Sequence, residues 1–168
     1  MIKPRALLFS TLAVLFVAGC GKSDSTVSAA APAAAAKPAG PRTIEITAGD
    51  NNTMVFSVTS IEAKAGEELK VVFSNNGTAP KEVMGHNWVL LKKGSDLAAF
   101  ATAAMVAKDT DYIPPALKDQ VIAHSEVLGP RKSAEVTFKA PTEPGEYPYL
   151  CSFPAHFQIG MKGVLIVK

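Results

Sequence analysis

The chain has 168 residues, 48% of them hydrophobic, with 17 Lys or Arg against 15 Asp or Glu. That length accommodates one domain with a single core. Lys3 and Arg5 lie in an N-terminal segment that we expect to be removed, and 17 less 2 leaves 15 basic against 15 acidic residues. A formally neutral mature chain excludes the strongly basic surface of a nucleic-acid-binding protein.

Residues 1–19 have the pattern of an export signal. Lys3 and Arg5 precede an apolar stretch over residues 6–18, which is shorter than a membrane-spanning helix. Small residues then lead directly to Cys20, which resembles a bacterial lipoprotein signal, in which the cysteine is acylated and becomes the mature N-terminus. We therefore predict that lipid on Cys20 holds the chain on a membrane of the bacterial cell envelope, facing the periplasm or the cell surface. An ordinary secretory signal with a later cleavage site, or an uncleaved anchor, is the alternative.

Residues 20–42 are predicted to be a flexible tether. Ala, Pro, Ser and Gly dominate the segment, Pro32 and Pro38 interrupt its alanine run, and it has no apolar face to dock. The folded domain is therefore expected over residues 43–168.

Alternating apolar and polar residues, separated by turns rich in Gly, Asn and Asp, predict mostly strands in that domain. The predicted strands are 43–47, 55–58, 69–73, 88–91, 121–124, 134–138, 145–150 and 164–167. This spacing favours an all-β fold, an eight-stranded Greek-key β-sandwich.

One segment of the domain has a helical pattern instead. An apolar stripe predicts a helix over residues 96–108, with Ser95 as its N-cap. The stripe consists of Leu97, Phe100, Ala101, Ala104 and Met105. Two prolines predict that residues 111–117 are loop. We expect a helical flap inserted between two strands.

Cysteine, histidine and methionine recur at equal spacing near the C-terminus. Cys151, His156 and Met161 follow one another at intervals of five residues, and His86 lies far upstream. Two nitrogen and two sulfur donors form the ligand set of a blue-copper electron-transfer centre, with a trigonal His, His, Cys plane and a long axial Met. If Cys20 carries lipid, Cys151 is the sole thiol of the domain, which excludes an internal disulfide.

Each donor alone also has an ordinary explanation, because Cys and Met are frequent core residues and a histidine can be buried and satisfied. Their co-occurrence favours a metal site, and the softness of the donors favours copper over zinc. We predict one copper ion that alternates between Cu(I) and Cu(II). Backbone N–H groups of the loop after Cys151 are expected to donate to its sulfur, and Ser152 and Phe153 are expected to surround the metal ligands.

Several blocks of the sequence resemble azurin, a small blue-copper cupredoxin, in the same order from about residue 43 to the C-terminus. The blocks are residues 79–89, 111–113, 121–124, 151–156 and 161–163. The resemblance implies that the two imidazoles and the thiolate are equatorial ligands and Met161 the axial one. It also implies the Gly85 carbonyl as a weak contact on the opposite side, and Asn87 as the residue that pins the ligand loop.

Three features depart from azurin. Four residues separate His156 from Met161, as in auracyanin and plastocyanin, whereas azurins have one fewer. The N-terminal disulfide of azurins is absent. The chain reads Ser74-Asn75-Asn76 where azurins often carry a redox-linked histidine, so no proton-coupled switch is expected. An azurin-like or auracyanin-like lipoprotein fits this pattern.

The resemblance also places an apolar patch around the exposed edge of His156. The residues expected there are Met54, Pro80, Met84, Met105, Pro154 and Ala155. Such a patch would dock redox proteins, such as c-type cytochromes or membrane complexes, through transient contacts, and the chain is expected to be a monomer. The alternative places the methionines in the core.

The predicted function is that of a membrane-tethered type 1 copper protein, which shuttles single electrons and is not an enzyme. The chain has three histidines, and His124 is predicted to lie at the surface, so none is left to build a second, catalytic copper site. A copper-storage or copper-delivery lipoprotein without an electron-transfer role is the alternative.

Overall fold

Two β-sheets form the part of the chain that the computed structural model describes, residues 40–168. The predicted signal, and all but the last three residues of the predicted tether, lie outside the described residues. The first sheet has the strand order β1 (Arg42–Ala48), β3 (Glu68–Asn75) and β6 (Lys132–Lys139). The second has the order β2 (Ser60–Ala63), β8 (Lys162–Val167), β7 (Gly145–Leu150), β4 (Val89–Leu91) and β5 (Val121–His124). The predicted all-β sandwich of eight strands is confirmed over this range.

Each sheet contains one parallel pair of strands. β1 runs parallel to β3, with Arg42 opposite Leu69 at one end and Ala48 opposite Asn75 at the other. β2 likewise runs parallel to β8, and the remaining pairs are antiparallel. Parallel neighbours cannot be joined by a tight turn. The chain therefore passes from β1 to β2 and back to β3, alternating between the two sheets.

The two sheets enclose a shared hydrophobic core. In β3, Leu69, Val71 and Phe73 are buried, whereas the residues between them are partly exposed, as an alternating strand requires. Trp88 and Tyr149 are fully buried between the sheets, with their ring centroids 5.6 Å apart. Burial of each large apolar side chain contributes about 1.5–3 kcal/mol, so this core supplies the rigid frame beneath the site.

The predicted strand at 55–58 is wrong, and the strand of that region lies at Ser60–Ala63. Phe56 forms only an isolated bridge with Ala48. The Thr47 N–H donates to the Ser57 hydroxyl at 2.8 Å instead of to a strand carbonyl, so the pairing with β1 does not continue. Farther along, Ile61 and Ala63 are buried against β8. The sequence alternates in both places, but only the second pairs along its length.

Three short α-helices lie between the strands of the described range: α1 (Lys81–Met84), α2 (Leu97–Ala104) and α3 (His156–Ile159). The predicted flap is therefore shorter than residues 96–108, because the chain turns after Ala104 and continues into a 3-10 helix at Lys108–Thr110. The predicted loop at 111–117 is wrong in its second half, where Pro115–Gln120 is also a 3-10 helix. No helix in this range has the length and apolar character needed to cross a bilayer.

The flap covers the outer face of β4 and forms a second hydrophobic cluster. Its buried members are Val89, Leu91, Phe100, Ala101, Ile113 and Leu150, with Leu97, Leu117, Val121 and Phe157 packed against them. β4 is consequently buried on both faces, since Leu90 belongs to the main core. Met105 lies beyond the end of α2 and is 50% exposed.

Asp96, not the predicted Ser95, caps the flap helix. Its carboxylate accepts hydrogen bonds from the N–H groups of Ala98 and Ala99 at 2.9 and 3.0 Å. We expect Asp96→Ala to lower the free energy of unfolding by about 1 kcal/mol, because two N–H groups of the first turn lose their acceptor. Ser95→Ala is the matched control and should leave the denaturant midpoint close to that of the parent. Equal midpoints for the two variants would contradict the assignment of the cap.

Candidate metal centre

Two imidazoles and a thiol meet at one end of the second sheet. The donor atoms of His86, Cys151 and His156 all lie within 4.8 Å of one another. The Nδ1 atoms of the two histidines are 3.1 Å apart, and the Cys151 Sγ is 3.4 Å from the His156 Nδ1. All three residues are buried, and they form the one cluster of this kind within residues 40–168.

Strand pairing brings these residues together from distant parts of the chain. β4 and β7 are antiparallel neighbours, with Val89 opposite Leu150, so the residues before β4 and after β7 lie at the same end of the sheet. His86 is held there by two backbone hydrogen bonds with Leu128, at 3.2 and 2.7 Å. Cys151 follows β7 directly, and His156 begins α3.

Met161 closes the loop that carries Cys151 and His156. Its carbonyl accepts from the Cys151 N–H at 3.1 Å, and its N–H donates to the His156 carbonyl at 3.0 Å. The side chain of Met161 is fully buried in the same core cluster as Cys151. The backbone therefore fixes this methionine beside both of the other loop residues.

Gly85 allows the close approach of the loop before His86. A Cβ added there would lie 2.6 Å from Val127 Cγ1 and 2.7 Å from the Lys81 carbonyl oxygen, which is closer than real Cβ atoms come. Any side chain at this position would displace the backbone next to His86, so the site requires glycine.

Asn87 joins the two loops of the site. Its Oδ1 accepts from the Ser152 N–H at 2.8 Å, and its Nδ2 donates to the Ser152 hydroxyl at 2.8 Å and to the Asp111 carbonyl at 3.2 Å. Asn87 and Ser152 are both buried. Each loop therefore supplies partners for polar groups of the other that water does not reach.

Burial sets the protonation of the metal-free site. It lowers the pKa values of His86 and His156 to about 4, and the neighbouring His86 lowers that of His156 further. Burial also raises the pKa of the Cys151 thiol to about 12, while the backbone N–H groups of Asn87 and Phe153 act in the opposite direction. At neutral pH the site thus holds two neutral imidazoles and a thiol.

This donor set fits a soft cation better than it fits protons. The Nδ1 atoms of His86 and His156 and the Sγ of Cys151 converge, and a proton shared between the two nitrogens can bridge only that pair. A metal ion accepts a lone pair from each and favours the thiolate beside them. Within the described range the His86 Nε2 atom has no hydrogen-bond partner, so ring contacts and the backbone of His86 hold the imidazole.

The metal-free protein is expected to lose stability as the pH falls from 6.5 towards 4. In that window the unfolded chain binds protons at His86 and His156, whereas the folded chain does not until the pH approaches 4. Urea unfolding at a series of pH values measures the effect. His156→Gln should reduce the slope, because one of the two buried imidazoles is then absent. A stability that is constant across the window would contradict the expectation.

Position 75 carries no titratable group. The buried Asn75 donates from Nδ2 to the Leu128 carbonyl at 3.1 Å, and its Oδ1 accepts from the Gly77 N–H at 2.9 Å. Leu128 is also the backbone partner of His86. An uncharged amide therefore links the first sheet to the metal-site loop.

Residues predicted for the docking patch differ in their exposure. Pro80 and Ala155 are exposed, Met105 is 50% exposed, and the others, Met54, Met84 and Pro154, are partly buried. His156 itself is 2% exposed. The prediction missed Val83 and Ile159, which are 65% and 57% exposed on α1 and α3. These helices have four residues each, too few for a periodic signal in the sequence.

The fold and the cluster agree with the comparison to known families. A sequence model described as copper-binding proteins, plastocyanin/azurin family, matches residues 43–168. The chain belongs to this family. Copper is accordingly its cofactor, and the cluster of two histidines and a cysteine is consistent with one copper ion.

Individual relatives support the same family assignment. Auracyanin-B of Chloroflexus aurantiacus is 35% identical over 127 residues, which cover 75% of this chain but 52%, about half, of that protein. Azurin of Pseudomonas chlororaphis is 40% identical over 108 residues, covering 62% of this chain and 82% of the azurin. The dithionite-reduced auracyanin of Roseiflexus castenholzii, 37% identical, superposes with a TM-score of 0.66 over 75% of this chain and 96% of that one. The predicted resemblance to azurin and auracyanin is confirmed.

Proposed function

We propose that this cupredoxin is a type 1 copper protein that shuttles single electrons between redox partners in the cell envelope. The observation that carries the proposal is the buried cluster of Nδ1, Nδ1 and Sγ atoms from His86, His156 and Cys151. These three residues are the proposed equatorial ligands. A thiolate with two imidazoles is the ligand plane of blue-copper centres.

Met161 is the proposed axial ligand, and the Gly85 carbonyl a weak contact. Full burial of Met161 and its backbone hydrogen bonds to Cys151 and His156 support the first assignment. The enclosed position of Gly85, directly before His86, supports the second. Thioether sulfur is a soft donor that suits Cu(I), and as a long axial contact it would bind only weakly.

Bound copper would supply a one-electron couple, and the chain would keep the surroundings of the ion constant while the electron moves. Asn87 and Ser152 hold the two ligand loops together, and His86 is fixed by Leu128. The complete burial of Cys151 excludes water from the thiolate. A donor set that is already in place needs little rearrangement, which favours fast electron exchange and leaves no open position for a substrate. We therefore propose an electron carrier and not an enzyme.

Electrons would enter and leave through the apolar surface around His156. The proposed patch consists of Met54, Pro80, Met84, Met105, Pro154 and Ala155. Apolar side chains exposed nearby, such as Val83, support a small docking surface of this kind. Redox proteins such as c-type cytochromes or membrane complexes, bound transiently by a monomer, are the proposed partners.

The proposed location is the cell envelope, with the chain tethered by lipid on Cys20. This follows from the signal pattern before Cys20 and from the Ala/Pro-rich residues after it. Detection of acylated Cys20 by mass spectrometry of the protein extracted from membranes would test it, and a mature chain cleaved beyond residue 20 would contradict it.

Copper loading followed by redox cycling tests the function. Copper-loaded protein should show an intense visible absorption that a reductant bleaches and an oxidant restores. A chain that binds copper without this absorption would support the alternative, a copper-storage or copper-delivery lipoprotein, because such a site does not need the thiolate.

A charge on the docking patch is expected to slow electron self-exchange. Met84→Glu should lower the self-exchange rate about tenfold or more, because two negative patches must meet in the encounter complex, while the visible spectrum stays unchanged. Thr137→Glu is the matched control, since Thr137 is exposed on β6 opposite Lys70, towards the end of the first sheet away from Asn75. Line broadening in NMR spectra of partly oxidised protein measures the rate. Equal rates for the two variants would contradict the patch.

A further inference from the structure

We propose that Phe157 positions the copper-binding loop by anchoring the segment between His156 and Met161 in the second hydrophobic cluster beneath the flap. This inference rests on the proposed ligand set. The segment is one residue longer than in azurins. Phe157, which is not a proposed metal ligand, would hold this longer segment in place.

The segment between the two proposed ligands has little structure of its own. α3 is a single turn, bounded by Ala155 with φ 68° and Gly160 with φ 111°, both in the left-handed region. Its internal bonds include the Ile159 N–H to the Ala155 carbonyl at 3.3 Å and the Gly160 N–H to the Phe157 carbonyl at 3.0 Å. An isolated turn of helix is unstable in water, so contacts outside the segment must hold it.

Phe157 is the residue of the segment that makes such contacts. Gln158, Ile159 and Gly160 are exposed, whereas Phe157 is partly buried and packs against the second cluster. The Lys162 Nζ also lies 5.3 Å from the centroid of the Phe157 ring, within the range of a cation–π contact. The ring therefore contacts both the flap cluster and the residue that follows Met161.

The sequence neighbours of three proposed ligands consequently belong to one set of contacts, formed by the second cluster and the Phe157 ring. Leu150 directly precedes Cys151 and is a buried member of the second cluster. Phe157 directly follows His156 and packs against that cluster, and Lys162 directly follows Met161 and lies over the ring. Because each neighbour is one peptide unit from a ligand, an anchor at Phe157 restricts the positions of both His156 and Met161.

The length of the segment explains why an anchor would matter for the position of the ligands. Four residues between the two ligands leave more backbone freedom than a shorter loop would, and the axial thioether bond is weak and long. A small displacement of Met161 or His156 would change the copper environment without removing a ligand. Phe157 is thus a positioning residue, and its loss should alter the site more than it alters the fold.

The test compares full-length, copper-loaded Phe157→Ala with Leu117→Ala. Both side chains are partly buried against the same cluster, but Leu117 is not adjacent to any proposed ligand. We expect Phe157→Ala to shift the reduction potential, to broaden or displace the Cu(II) EPR spectrum, and to release copper to a chelator at least tenfold faster. Leu117→Ala should keep the EPR spectrum and the potential of the parent. Phe157→Tyr, which keeps the ring beneath Lys162, should restore the parent values.

A readout without copper accompanies these measurements. In the metal-free protein the Met161 N–H, which donates to the His156 carbonyl, should exchange with solvent at least tenfold faster in Phe157→Ala than in Leu117→Ala. If Phe157→Ala does not fold, Phe157→Leu carries the same comparison, because it keeps apolar volume and loses the ring. Parent-like values in the Phe157 variant, or equal changes in both variants, would overturn the inference. A parent that lacks the visible absorption would instead overturn the proposed function.

Discussion

Cys151→Ser is expected to remove the intense visible absorption of the copper-loaded chain and to weaken copper binding by ~100-fold or more. Changes to groups that only support metal ligands typically cost 10–100-fold in affinity, so the loss of a direct ligand should reach or exceed that range. Cys151 is the free cysteine of the described residues and is buried, and a serine hydroxyl is a hard donor that copper binds weakly.

Cys20→Ser is the matched control for that change, because it alters the other cysteine of the chain. It should keep the colour and the copper affinity, because Cys20 precedes the copper-binding domain, and it should lose only the proposed acyl groups. Absorption spectra and copper titrations measure both variants. Persistence of the colour in Cys151→Ser would show that the metal binds elsewhere.

Asn87→Ala is expected to lower the free energy of unfolding of the metal-free protein by about 3 kcal/mol. The change removes three hydrogen bonds and leaves the Ser152 N–H buried without an acceptor, and each unsatisfied buried group costs about 1–3 kcal/mol. Since Ser152 follows Cys151, we also expect a shift in the reduction potential after copper loading.

The matched control is Asn76→Ala, at an exposed asparagine whose amide donates to the Asp50 carboxylate at 2.9 Å. Its loss should cost less than about 1 kcal/mol, because water replaces the partner of an exposed group. Chemical denaturation followed by Trp88 fluorescence measures both variants. A difference of less than about 0.5 kcal/mol between the two would contradict the role of Asn87, since it lies within the ordinary range of surface substitutions.

The sequence predicts the strands whose side chains alternate between the core and the surface. It does not predict where strand pairing stops or which residue caps the flap helix. The alternation in 69–73 and 134–138 identifies β3 and β6, because one face of β3 is buried and one face of β6 is partly buried against the main core. The same alternation fails at 55–58, where the Ser57 hydroxyl competes for a backbone donor of β1. Ser95 and Asp96 are both good helix caps, and the choice between them depends on where the backbone begins to turn.

The candidate site also has features that the sequence predicts and features that only the fold reveals. The equal spacing of Cys151, His156 and Met161 is visible in the sequence because soft donors are few in this chain. The hydrogen bonds between Asn87 and Ser152 join residues 65 positions apart, so only the resemblance to azurin suggests them and only the fold displays their geometry. The packing of Phe157 on the flap cluster depends on tertiary structure alone.

The burial of Cys151 also bears on the survival of the protein before copper arrives. Oxidants attack thiolates that solvent can reach, and this thiol is fully enclosed, with its pKa raised to about 12 by burial. No disulfide within residues 40–168 requires reduction or repair, because Cys151 is the single cysteine there. A newly folded chain can therefore keep an intact thiol in an oxidising compartment until a copper ion reaches it.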